Sequence, residues 1–321
     1  MRLIEFPKFY SRDFYESSVA LMVDRLKKFD SVVAVYQIGS VSVPGISDLD
    51  MVVVFEDGKN CNFNPLSVLS ESERYLFIHS LFGINKSHFA HLNNYQLQIN
   101  YNLCYGAAID WNENRLSEAD AELLKTQIAL EYLVKNYITS EVQSINKLIK
   151  VRSLLLEVNA LKYDFQLLNI TTHPLLSLVN ELIEWRKTWF ESNPSKIEIK
   201  NWVTNYFAEL KDFIIAILND HSLFNDTHLP IKFSNAIKVH TGNSIKFKFS
   251  GLSPFYIPGV NEKLIYKAFQ KFNKYEFQIP LQKVERDDII KSRFQFLRLL
   301  QADAARHFPY FQPLTSVMPL Y

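Results

Sequence analysis

The sequence predicts a mixed α/β (α+β) chain: a small mixed-sheet domain, then a helical bundle, then a C-terminal segment made of a hairpin and helices. Three observations carry this. Apolar strand-like runs at 32–38 and 51–55 flank a loop containing Gly39 and Gly45, apolar residues at helical spacing dominate 117–225, and alternating runs at 236–240 and 244–249 flank Thr241-Gly242-Asn243. The implied segments are 1–115, 116–225 and 226–321.

In chain order, Tyr15, Val19, Met22, Val23 and Leu26 have helical spacing and predict a helix over 13–29. The strand that follows runs into Gly39-Ser40. A residue without Cβ there lets the backbone approach a ligand, and the next amides and hydroxyl can bond phosphate oxygens. After a spacer of seven residues comes Asp48-Leu49-Asp50, opening the second apolar strand. Strand alternation places Asp48 and Asp50 on one face and Leu49, Met51, Val53 and Phe55 on the other. Two carboxylates this close repel unless a cation neutralises them. Mg²⁺ (or Mn²⁺) fits, since such an ion is commonly held by one or two carboxylates plus waters and substrate phosphates.

These residues resemble the polymerase-β-like nucleotidyltransferase superfamily, whose pattern is an apolar strand, Gly-Ser, a spacer of about this length, and Asp-apolar-Asp opening a second strand. Ser47, before the first aspartate, also matches. The resemblance covers the first third of the chain. It implies attack by an acceptor hydroxyl on the α-phosphate of a nucleoside triphosphate, with release of pyrophosphate. Asp48 and Asp50 would hold the metal, and Gly39 and Ser40 the β- and γ-phosphates. It also implies a third carboxylate from a later strand, and here the chain departs from the pattern.

Beyond Phe55, the sequence predicts a helix over 70–82 and strands over 87–92 and 95–105, none of the strands acidic. Gln96, Gln98, Asn100 and Asn102 alternate along one face of the last strand, where a carboxylate is expected. The nearest acid downstream is Asp110, in the run 107–111, which reads as the end of a further strand. It is either the third ligand or the cap of the next turn. Ser117 and Asp120 then mark a helix start.

Four helices are predicted, over 118–139, 141–168, 174–191 and 198–219, the second apolar on most sides and central to a bundle. Glu131 falls on the inward stripe of the first, with Leu124, Ile128, Val134 and Ile138. Aminoglycoside-modifying members of the superfamily are similar in adding helices, and some place a glutamate base there; Glu131 is such a base or an ion-paired glutamate. In the hairpin, Lys238, His240, Lys246 and Lys248 share one face, which is either a phosphate-binding face or a solvated one. Helices over 261–272 and 286–305 follow, and 306–321 reads as an extended strap.

Composition narrows the partners. Hydrophobic content of 48% with only 8 glycines describes an ordered, core-rich chain. A net charge of +1 argues against a broad polyanion-binding surface, so the expected partners are a nucleoside triphosphate and a small-molecule acceptor, ahead of protein or nucleic acid. Cys61 and Cys104 form no metal-spaced pair, and no run is long and apolar enough for a membrane span, which together predict a cytoplasmic protein.

Overall fold

The computed structural model describes the chain except residues 98–99, 113–115, 230, 232, 256–261, 286–287 and 315–321 and the side chain of residue 263. Its elements in chain order are β1 (Arg2–Ile4), α1 (Arg12–Leu26), β2 (Val32–Ile38), β3 (Asp50–Phe55), α2 (Glu71–Leu76), β4 (Phe82–Asn85), α3 (Lys86–Ala90) and β5 (Tyr101–Gly106). There follow α4 (Glu118–Asn146), β6 (Leu148–Lys150), α5 (Val151–Leu167), α6 (Pro174–Thr188), α7 (Lys196–Asp220), β7 (Leu223–Asn225), β8 (Ile237–Thr241) and β9 (Lys246–Ser250). The last are α8 (Glu262–Phe272), β10 (Lys274–Ile279), β11 (Leu281–Lys283), α9 (Ile289–His307) and β12 (Gln312–Pro313). The fold class is mixed α/β, with parallel and antiparallel strand pairs.

Contacts divide the chain into two compact units, one built from residues 8–124 with α9 and β12, the other from 1–7 and 125–285. These units do not follow the three segments read from the sequence: the last helix belongs with the first segment.

The first unit is organised by a sheet of order β12-β4-β3-β2-β5. β2 runs antiparallel to β3 and β5, while β3 and β4 are parallel. Both faces are covered, which is why β3 reads as a continuous apolar run. Met51, Val53 and Phe55 pack with Tyr15, Met22 and Leu26 of α1 and with Phe308 and Phe311. Val52 and Val54 face the other way, onto Phe82, Phe89, Phe296 and Leu300. Aspartate and apolar residues therefore alternate between faces at the start of β3 as the sequence indicates. At Gly83 the sheet admits no side chain, because a Cβ would lie 2.7 Å from the Phe308 ring.

Several local expectations need correction. The helix expected over 70–82 ends at Leu76: a capping box between Ser70 and Glu73 starts it, with bonds of 2.8 and 3.2 Å, and Phe82 already belongs to β4. Residues 87–92 form α3 and a 3-10 turn rather than a strand. Ser87 is anchored through its N–H and hydroxyl to Asp57, and Phe89 and Leu92, three apart, supply the buried contacts, so helical period wins over alternation. The strand expected over 95–105 begins at Tyr101, so of the amide row only Asn102 lies in it, exposed; Gln98 is outside the described residues. Residues 107–111 are coil, with the Ile109 N–H donating to the Tyr36 hydroxyl at 3.0 Å.

In the second unit α4 continues through residue 140, where a break was expected, and the chain turns at Lys147 (φ +50°). The next residues form β6, which pairs in parallel with β1 from Arg2↔Leu148 to Ile4↔Lys150. A second capping box, Ser195 with Glu198, starts α7. The largest departure concerns the expected hairpin. β8 and β9 are present but do not pair with each other; β10 lies between them, parallel to β8 and antiparallel to β9. Tyr275, Phe277 and Ile279 of β10 are buried and Glu276 is exposed, in register with the exposed Lys238 on one side and Lys248 on the other. The two helices expected after it are α8 and α9; the start points 261 and 286 lie outside the described residues, as does the tail from 315.

Asp164 in α5 is 5% exposed, its Oδ2 takes no hydrogen bond, and burial raises its pKa well above the usual carboxylate range. Above pH about 4 the unfolded chain ionises this group while the folded chain keeps the proton, so its contribution to stability falls as pH rises. Asp164→Asn removes that slope. The variant is expected to gain stability relative to the parent between pH 4 and 7 in chemical denaturation; a pH-independent difference would show that Asp164 is ionised in the fold.

Candidate functional site

Strand directions decide what meets at one edge of the first unit's sheet. Because β3 and β4 are parallel, their N-terminal ends share an edge, and antiparallel β2 delivers its C-terminal end to the same place, with Ile38 opposite Asp50. Gly39 leaves β2 with φ +71°, a conformation that favours glycine, and the space where its Cβ would sit is open to 4 Å. Ser40 beside it is exposed.

The loop 41–49 is held from below. The Tyr15 hydroxyl donates to the Ser47 carbonyl at 2.6 Å and accepts the buried Gly45 N–H at 2.9 Å. The Tyr75 hydroxyl donates to the Gly45 carbonyl at 2.6 Å, and the Ser47 hydroxyl accepts the Val43 N–H at 3.2 Å. Leu49 is buried, and its N–H donates at 3.0 Å to the Leu76 carbonyl at the end of α2. Asp48 lies in this loop just before β3 and Asp50 is the first residue of the strand, both partly exposed.

The link through Leu76 also fixes the segment that follows α2. Phe77 and Leu81 are buried, and between them His79 packs against Phe82 with ring centroids 5.1 Å apart. His79 Nε2 is 2.8 Å from Asp50 Oδ1, and Nδ1 is 2.7 Å from the Ser80 carbonyl. Burial works to lower the His79 pKa, but the Asp50 carboxylate, the Ser80 carbonyl and the charge of Asp48 outweigh it and raise it. One ligand atom each from Asp48, Asp50 and His79 lies within 4.8 Å of the others, so this group can hold a metal ion. Ligand atoms about 2.1 Å from one ion stand about 3.0 Å apart when adjacent and about 4.2 Å when opposite, so the fit needs only small side-chain rotations.

The structure therefore brings Gly39, Ser40, Asp48 and Asp50 to one edge. Asp110 is exposed in the coil after β5 and is not in the ligand group. Glu131 belongs to the other unit, where it is 1% exposed in α4 and accepts a hydrogen bond of 2.8 Å from Gln127 Nε2; Gln127 also clamps Phe224 of β7. His79 is the residue that sequence reasoning missed. Its one signal is position, just ahead of an apolar run that pairs in parallel beside the aspartate strand.

No protein-family model matches the chain, and no curated protein sequence matches it.

Tyr15→Phe keeps the ring and deprives the buried Gly45 N–H of its acceptor, which is expected to cost about 1 to 3 kcal/mol in chemical denaturation. A smaller loss would show that the loop does not depend on the phenol.

Proposed function

We propose that the chain is a divalent-cation-dependent nucleotidyltransferase of the polymerase-β-like type, moving a nucleoside monophosphate from a triphosphate to a hydroxyl of a small-molecule acceptor. The observation that carries this is the convergence of the Asp48, Asp50 and His79 ligand atoms at the sheet edge where β2 ends in the Gly39-Ser40 turn. In this reading the two aspartates and His79 hold the cation. When bound, the ion neutralises phosphate oxygens and stabilises charge on the attacking and leaving oxygens.

The chain's own part is binding and orientation. Gly39 keeps the turn low, and the Ser40 hydroxyl donates to a phosphate oxygen of the leaving pyrophosphate. Leu49, buried and tied to Leu76, keeps the aspartates on either side of it aimed at one point. Glu131 takes a packing part, engaged with Gln127. A second reading, a fold that binds nucleotide or acts as a scaffold without turnover, is favoured by one feature: the third member of the group is an imidazole where the resemblance implies a carboxylate.

Two measurements separate these. Asp48→Asn and Asp50→Asn are expected to lower cation-dependent pyrophosphate release roughly a hundredfold or more; undiminished turnover in the double variant overturns the site. A triphosphate with its cation should stabilise the parent by about 2.7 kcal/mol at a hundredfold excess over Kd in both readings. Stabilisation without pyrophosphate release, across a panel of acceptors, selects the second.

For Ser40→Ala, triphosphate affinity is expected to fall by about 1.5 to 3 kcal/mol, one hydrogen bond to a charged group. Unchanged affinity removes Ser40 from the site.

A further inference from the structure

We infer that His79 binds the cation directly through Nε2, and that this nitrogen makes the site one for a transition ion such as Mn²⁺ in preference to Mg²⁺. The inference rests on the cation site of the proposed transfer, and not on the transfer itself. It starts from the tautomer. The Ser80 carbonyl, 2.7 Å from Nδ1, can only accept, so Nδ1 carries a hydrogen and the neutral ring presents its lone pair at Nε2. A ring N–H given to a backbone carbonyl is the usual arrangement behind a metal-ligating histidine.

Nε2 lies against the aspartates. Nε2 is 2.8 Å from Asp50 Oδ1, close to the separation of adjacent ligands on one ion, and that oxygen is buried without a well-aligned hydrogen bond. Without an ion a proton on Nε2 can bridge the two atoms; a cation held among Nε2, Asp50 and Asp48 takes that proton's place. His79 is also held in place, since the short stretch between α2 and β4 is anchored by buried Phe77 and Leu81 and the ring rests on Phe82.

A nitrogen donor changes which ion is preferred. Mg²⁺ is hard, favours oxygen and gives up water reluctantly. Imidazole suits the later divalent ions, whose affinity for nitrogen sites rises along the first transition row from Mn²⁺.

The test titrates the full chain, without nucleotide, with Mn²⁺ followed by electron paramagnetic resonance, and with Mg²⁺ as competitor. The parent protein is expected to bind Mn²⁺ at least tenfold more tightly than Mg²⁺ and to show ¹⁴N coupling in pulsed spectra. In His79→Ala the coupling should vanish and Mn²⁺ affinity fall about tenfold or more, with Mg²⁺ affinity changed less than threefold. Bound Mn²⁺ without ¹⁴N coupling in the parent overturns the inference and leaves the transfer proposal standing, as does an equal loss of both ions in the variant. Failure of the parent to bind either ion overturns it together with the cation site. If His79→Ala fails to fold by circular dichroism, the parent's ¹⁴N coupling decides alone. Nitrogen-coupled Mn²⁺ with no pyrophosphate release would instead sink the transfer proposal by itself.

Discussion

Everything at the candidate site depends on the pairing of β3 with two neighbours of opposite sense. Parallel β4 and antiparallel β2 bring the start of one strand, the approach to another and the end of a third to a single edge. The turn and the carboxylates come from one strand-loop-strand unit, and the imidazole arrives from a segment about thirty residues further on. The backbone bond from Leu49 to Leu76 locks the two together before any ligand arrives. Such a site is positioned by hydrogen bonds and buried apolar anchors, so little reorganisation remains when a cation binds.

The remote chain end completes this arrangement. α9 and β12 close the sheet beside β4, with Phe308 stacked on Phe55, Phe311 edge-on to it, and the Phe308 ring where Gly83 leaves room. Asp303 of α9 takes one hydrogen bond from Asn85 and a contact from His88 at the far end of the strand that follows His79, while β12 pairs with its start.

How much was legible follows from the range of each interaction. Asp48, Asp50 and the Gly39-Ser40 turn could be read because alternation along a strand is local and the glycine conformation is set by one residue. His79 could not, because Phe77, Ile78, Leu81 and Phe82 mimic helical spacing and carry a helix past Leu76, burying the histidine among expected helix residues. The same confusion of periods turned α3 into a strand. In 237–250 the local signal was right about the strands and wrong about their partner, since nothing in two alternating runs reveals that a third will separate them.

That interposed strand has a consequence for how the chain assembles. Residues 237–250 leave the ribosome before the strand that separates them in the fold, and their turn residues favour pairing with each other. The native arrangement must wait for residues 274–279, with a whole helix in between, and then wedge them into the gap. Non-local pairing of this kind slows folding and prolongs the time in which an unpaired strand edge can meet another nascent chain.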